Sequence, residues 1–166
     1  MSDAKTGAAF ITHEFDEAIA IQQCIVDAET KLATKHPVQS AKTALKSSLA
    51  DDKTYLTDLR TLGKAHKATG KVEDVAGGLK ELMESTLETA TTDGADSDFY
   101  EAHAVLLNLK RKQMDSAGGM LAIARDQQDT KLRDAASAFQ KAQKASCEAL
   151  TTELADYAVK IASAAA

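Results

Sequence analysis

Apolar side chains recur every three or four residues along most of the chain, which is the spacing of an amphipathic helix. This pattern predicts long helices over about 8–35, 38–68, 97–127 and 131–164, and a shorter helix over about 72–91. The stripe of the first helix consists of Ile11, Phe15, Ala18, Ile19, Ile25, Val26 and Leu32. None of these helices can bury its stripe alone, so we expect them to pack against one another.

The breaks between the predicted helices carry recognisable signals. Pro37 cannot continue the first helix but suits the first turn of the second. Gly70 is expected to end the second helix as its C′ residue. The stretch "TTDGADSD", residues 91–98, is the clearest predicted loop, and Ser97 or Asp98 can cap the helix that follows it.

The predicted fold class is therefore all-α, with residues 1–166 forming one four-helix-bundle domain. The first two long helices are joined tightly, as are the last two, so each pair is expected to be antiparallel. The shorter helix lies in the connection between the pairs. If it spans the bundle, the second and third long helices are parallel; if it doubles back as a cap, the topology is simple up-and-down.

Composition narrows the classes of function. Aromatic residues make up only 4% of the chain and the formal net charge is -5, which disfavours nucleic-acid binding. No apolar stretch approaches the roughly 20 residues of a membrane span. The first ten residues lack a signal-peptide pattern. Cys24 and Cys147 are too few for a disulfide framework, and both features predict a cytoplasmic location.

Polar residues interrupt the apolar stripe near the middle of every long helix. Asp52 lies three residues after Leu49 and four before Leu56, on the same face as both leucines. Equivalent positions in the other helices also carry polar side chains. The five predicted members of this central polar layer are Gln22, Asp52, Lys110, Gln113 and Gln143. In a bundle they are expected to meet at one level.

Two interpretations of these residues stay open. In the first, the Lys110 ammonium takes the place of a metal cation and pairs with Asp52, while the glutamine amides satisfy the remaining donors and acceptors. In the second, the helix register is shifted by one residue. Lys110 then snorkels to solvent, and Asp51 and Asp52 lie at a solvated edge.

Two other groups of residues are candidates for chemistry. His13, Glu14, Asp16 and Glu17 could form a surface metal site, or could be an ordinary charged first turn of a helix. A metal-dependent enzyme in a layout without a known motif would use acidic residues and one histidine. Its candidate residues are Asp51, Asp52, Glu101, Glu148 and His103.

The order of segments resembles a known family. The segments are "HEFDEAIAIQQCIVDAE", "LADDKTYLTDLRTLGKAHKATGK", "GLKELMEST" and "MLAIARDQQDTKLRDAASAFQKAQKASCEAL". Together, from about His13 to Tyr157, they resemble the ferritin-like bacterial stress proteins of the YciE/YciF type and related small ferritin-like proteins. This resemblance implies a ferritin-like bundle with a crossover, often a dimer, and in many members a dinuclear metal centre.

The resemblance also implies where metal ligands would lie. They fall near Gln22, Asp51 or Asp52, Lys110 or Gln113, and Gln143, and all but the aspartate depart from the Glu and His residues that such a centre needs. We therefore expect the chain to share the family's fold but not its metal centre. None of these residues is expected to be a catalytic residue, a cofactor ligand or a metal ligand.

The resulting expectation is a non-enzymatic, stress-related structural or interaction protein, forming a homodimer, with a protein partner, without a cofactor and without a nucleic-acid or membrane-spanning role. The alternative is a di-iron or di-manganese (Fe or Mn) ferritin-like oxidoreductase or iron-binding protein. A third reading is an amphipathic helical protein that coats a granule or another surface.

Overall fold

The computed structural model describes residues 5–72 and 75–164. These residues form five α-helices and one 3-10 turn, with no strand among them. The helices are α1 (Gly7–Lys35), α2 (Gln39–Gly63), α3 (Val75–Asp93), α4 (Asp96–Asp126) and α5 (Thr130–Ala164), and the 3-10 turn covers Lys64–His66. The all-α prediction is confirmed.

The end of the second helix differs from the prediction. The α-helix was expected to run to about residue 68 and to close at Gly70, but it ends at Gly63 and tightens into the 3-10 turn. Lys67, directly after that turn, is the residue that adopts left-handed φ/ψ, with φ 58°. Gly70 is also left-handed, with φ 75°. It lies in the non-helical segment of residues 68–72 that leads towards α3, which we call the strap.

Contacts along the long helices define their relative directions. α1 runs antiparallel to α4, because His36 lies beside Phe99 while Gln113 donates to the carbonyl of Ala18. α2 runs antiparallel to α5, because Ser40 donates to Glu153 and the Tyr55 ring lies on the Phe139 ring, 3.8 Å between centroids. Because short turns also join α1 to α2 and α4 to α5, every neighbouring pair of long helices is antiparallel.

The shorter helix α3 packs against α1 and α4. It buries Met83 and Leu87, whereas the neighbouring Leu82 is 49% exposed. Near its C-terminus, Lys35 Nζ donates to the Thr91 carbonyl across 2.9 Å. The strap that precedes α3 lies beside the first half of α1, where Gly70 meets Ile19. The segment therefore travels along α1 in the same direction.

The interior is divided into two apolar clusters. The first surrounds Ile25, Leu45 and Leu106, towards the end of the assembly where α1 turns into α2. The second surrounds Phe15, Leu59 and Phe139, towards the opposite end. Buried polar side chains lie between them. Within the described residues, no helix is long and apolar enough to cross a membrane.

Gly70 has a conformation and a neighbour that exclude a side chain. A Cβ there would lie 2.7 Å from Ile19 Cγ2, and φ is positive. We expect Gly70→Ala to lower the free energy of unfolding by about 1–3 kcal/mol through strain and crowding. Gly78→Ala is the matched control, because Gly78 is helical and has nothing within 4 Å of its Cβ position.

Ala at position 78 should instead stabilise α3 by about 1 kcal/mol, since glycine is a poor helix former. Urea unfolding followed by circular dichroism measures both variants. Equal effects of the two substitutions would show that the strap does not pack on Ile19 as described.

Candidate functional site: a buried ammonium between two carboxylates

Each of the four long helices contributes a polar side chain to the space between the two apolar clusters. Gln22 and Glu29 lie two turns apart on one face of α1, and Ser48 and Asp52 lie one turn apart on α2. The remaining members are Lys110 and Gln113 of α4 and Gln143 of α5. All seven are buried, and we call them the polar layer.

Lys110 is the centre of this layer. Its Nζ lies 2.7 Å from Glu29 Oε1 and 2.5 Å from Asp52 Oδ2, and all three side chains are fully buried. Lys110 therefore joins α4 to both helices of the α1–α2 hairpin. Its stem does not reach solvent, and the snorkelling interpretation is not what the structure shows.

Asp52 accepts hydrogen bonds from three helices. Oδ2 accepts a hydrogen bond from Lys110 Nζ. Oδ1 accepts from the side-chain amides of Gln22, at 2.8 Å, and Gln143, at 2.5 Å. The Gln22 amide also reaches the Asp52 carbonyl across 3.0 Å. A buried carboxylate with both oxygens occupied by donors is well satisfied. Asp51, the neighbouring acid in the sequence, is exposed.

Glu29 is the member that sequence reasoning missed. The layer was expected to contain one carboxylate, and it contains two. Glu29 Oε1 accepts from Lys110 and from the Ser48 hydroxyl, while Oε2 has no protein partner. The signal was present, because Glu29 lies on the α1 stripe between Val26 and Leu32, and Ser48 lies between Leu45 and Asp52.

Gln113 is buried but separate from the ion pairs. Its amide donates to the Ala18 carbonyl across 2.8 Å, and its Oε1 has no protein partner. The structure thus brings Gln22, Asp52, Lys110 and Gln143 into one hydrogen-bonded group, and places Gln113 one turn away on α4.

Burial and charge act in opposite directions on the two ends of the ion pair. Burial alone would lower the pKa of Lys110, but the Glu29 and Asp52 carboxylates outweigh it and raise that pKa above its ordinary value. Burial raises the pKa of Glu29 to about 8; the Lys110 charge opposes this shift, and the Asp52 charge adds to it. Burial therefore outweighs the Lys110 charge and shifts the titration of Glu29 towards neutral pH.

The donor set does not fit the dinuclear metal centre that the resemblance implies. Such a centre needs several carboxylates together with imidazole ligands. Here both oxygens of Asp52 are occupied by donors, Glu29 Oε1 already accepts from Lys110 and Ser48, and an ammonium lies within 2.7 Å of each carboxylate. The other members contribute neutral amides and a hydroxyl. A dication would have to displace a like charge that is already in place.

The predicted surface site near the start of α1 is only partly assembled. His13, Glu14 and Glu17 each offer a ligand atom within 4.8 Å of the others, and all three are half-buried. Lys112 Nζ also lies 3.3 Å from Glu17. Asp16 points elsewhere, because its Oδ1 accepts from the backbone N–H groups of Thr69 and Gly70.

The residues named for the alternative enzyme are scattered. Asp51, Glu101 and Glu148 are exposed, whereas His103 is buried and bonds to the Leu150 carbonyl. Cys24 and Cys147 are buried free thiols, and burial raises the pKa of Cys24 to about 12 and that of Cys147 above its usual value. Neither thiol is activated as a nucleophile.

Searches against known protein families, curated proteins and solved structures find no significant match to this chain.

Removing the Lys110 charge should be costly because it leaves two acids without their cation. We expect Lys110→Met to lower the free energy of unfolding by about 3–5 kcal/mol. The triple variant Lys110→Met, Asp52→Leu, Glu29→Gln should lose much less, since no buried charge is left unpaired. Chemical denaturation of both variants gives the comparison.

Lys112→Met serves as the control for that experiment. Its ammonium is partly exposed and contacts Glu17 at the surface, so its loss should cost less than about 1 kcal/mol. Losses that simply add in the triple variant would contradict an energetically coupled layer.

The raised pKa of Glu29 predicts a pH dependence of stability. Since its pKa rises from 4.5 to about 8 on folding, the native state binds the extra proton between those values. Stability from this group is complete below pH 4.5 and is lost as the pH rises through 8. We expect wild type to lose on the order of a few kcal/mol relative to Glu29→Gln over this range.

Unfolding free energies of the two proteins, measured in parallel from pH 4.5 to 9, test this expectation. The comparison cancels the other titrating groups. A constant difference across the range would mean that Glu29 is ionised in the folded protein.

Proposed function

We propose that this protein is a ferritin-like four-helix bundle that has lost its dinuclear metal site and acts as a non-enzymatic structural or interaction protein. The observation that carries this proposal is the Lys110 ammonium, fully buried between Glu29 and Asp52. A cation supplied by the chain stands where the resemblance implies metal ions.

The packing supports the ferritin-like part of the proposal. The α1–α2 and α4–α5 hairpins lie with neighbouring long helices antiparallel, which makes the diagonal helices α2 and α4 parallel. A parallel pair needs a connection that travels the length of the bundle. The contacts of α3 with α1 and α4 suit such a crossover.

The chemistry of the layer supports the non-enzymatic part. The Glu29 and Asp52 carboxyl groups pair with the Lys110 ammonium, and none of the three side chains is exposed to a substrate. The stress-related role, the homodimer and the cytoplasmic location belong to this proposal through the resemblance alone.

Metal binding is the decisive experiment. The protein, purified without chelator, would be offered Fe²⁺, Mn²⁺ and Zn²⁺ anaerobically and analysed for metal by mass spectrometry. We expect no stoichiometric metal in the polar layer and no iron-dependent O₂ consumption. About two equivalents bound per chain, as in di-iron bundles, would instead support the oxidoreductase alternative.

Two variants show which residues are responsible for any metal that binds. His13→Ala with Glu17→Ala removes the surface ligand atoms, so any single ion bound there is lost with them. Lys110→Glu replaces the ammonium by a third carboxylate. Because hard dications prefer anionic oxygen, this variant should gain metal affinity that wild type lacks. If wild type and Lys110→Glu bind metal alike, the ammonium does not stand in for it.

A further inference from the structure

A second buried polar cluster lies at the end of the assembly where α1 turns into α2. His36 ends α1, and His103 lies in the second turn of α4; both side chains are 0% exposed. Their rings lie 5.6 Å apart between centroids, at 78° to each other. The Phe99 and Tyr157 rings lie 5.9 Å and 4.9 Å from the ring of His36.

Hydrogen bonds fix the tautomer of each ring. The Val38 N–H donates to His36 Nδ1 across 3.1 Å, so that nitrogen carries no proton and Nε2 does. His103 Nε2 lies 3.0 Å from the Leu150 carbonyl, which can only accept. His103 therefore carries its proton on Nε2 and leaves Nδ1 as an acceptor.

The two nitrogens that remain are complementary. His36 Nε2–H is a buried donor and His103 Nδ1 is a buried acceptor, and neither has another hydrogen-bond partner in the protein. The rings are neighbours without a direct hydrogen bond, so one internal water that accepts from His36 Nε2–H and donates to His103 Nδ1 would satisfy both nitrogens. This pairing works only while both rings are neutral.

A proton added to either ring breaks a contact. At His36 the proton would bind to Nδ1, which could then no longer accept a hydrogen bond from the Val38 N–H. At His103 it would enter Nδ1, which could then no longer accept a hydrogen bond from such a water. Three elements are affected, because these rings connect the α1–α2 turn to α4 and, through Leu150, to α5.

Few charges nearby favour such a proton. Lys42 of α2 and the neighbouring His103 oppose it at His36, and Asp96 of α4, which accepts from Tyr157 of α5, favours it. Glu153 of α5 favours it at His103. On α1, Lys35 is turned away and donates to the Thr91 carbonyl of α3.

We propose that His36 and His103 form a neutral, tautomer-locked clamp that holds the α1–α2 turn against α4 and α5, and that acid opens this end of the assembly. The geometry is local, so the opening precedes global unfolding. The opposite end, built around Phe15, Tyr55 and Phe139, contains no such buried pair among the described residues.

The direction of the pH effect follows from burial. Burial, with the neighbouring His103 and Lys42, lowers the pKa of His36 from 6.5 to about 4, and burial also lowers that of His103. A base whose pKa falls on folding gives stability that is complete above its unfolded value. The clamp therefore weakens as the pH falls from 6.5 towards 4.

Two NMR measurements on the full-length protein test the clamp. Ring ¹⁵N shifts report the tautomers, and we expect Nε2–H for both histidines at pH 7. Amide hydrogen exchange, corrected for its intrinsic pH dependence, reports opening. Between pH 6.5 and 4.5, protection should fall about tenfold or more around residues 36–45 and 99–106, while residues near Tyr55 and Phe139 keep theirs.

Variants separate the clamp from general acid sensitivity. His36→Asn retains an acceptor near Nδ1, and His103→Gln retains a donor near Nε2, so the double variant should lose the local acid response. His66→Gln is the control, because His66 stacks on Phe15 at the other end and lies outside the clamp.

The wild-type measurement decides the proposal even if the double variant does not fold. Protection lost equally at both ends, either ring in the Nδ1–H form, or both rings protonated near pH 6.5 without local opening would overturn it.

Discussion

A positive charge in the middle of an apolar core is the constraint on which this structure depends. Burying an unpaired ammonium costs several kcal/mol, so Lys110 is tolerable only if acceptors converge on it. Those acceptors come from two other helices, Glu29 of α1 and Asp52 of α2. A one-residue slide of α1, α2 or α4 would break a contact of Lys110. The polar layer thereby fixes the register that leucine and alanine side chains leave loosely defined.

The sequence predicted the helices better than it predicted how their side chains meet. Regular apolar spacing located α1, α4 and α5 within one or two residues, because periodicity reports directly which face is buried. It could not show that α2 tightens at Gly63, where a Cβ would lie 3.3 Å from Phe15 and 3.4 Å from Ile19. Glu29 was overlooked because periodicity does not reveal which residues of different helices lie at the same level. Glu29 lies seven residues after Gln22, and it contacts Lys110 Nζ only because the lysine side chain is long.

The two buried polar clusters respond to protons in opposite senses. Burial raises the pKa of Glu29 in the polar layer, whereas it lowers the pKa of His36 at the end of α1. The folded state is therefore limited from both sides of neutrality, by different parts of the molecule. The two responses arise in different places, one in the polar layer between the apolar clusters and the other in the histidines at one end.

The distribution of charge between the hairpins has a consequence for how the chain assembles. Both acids belong to the first hairpin and the ammonium belongs to the second, 58 residues from Asp52 and 81 from Glu29. Contacts over such separations carry a loop-closure cost and form after local ones. Each hairpin alone would hold charge it cannot neutralise. Docking is thus a recognition event between two complementary halves of one chain, which α3 tethers together.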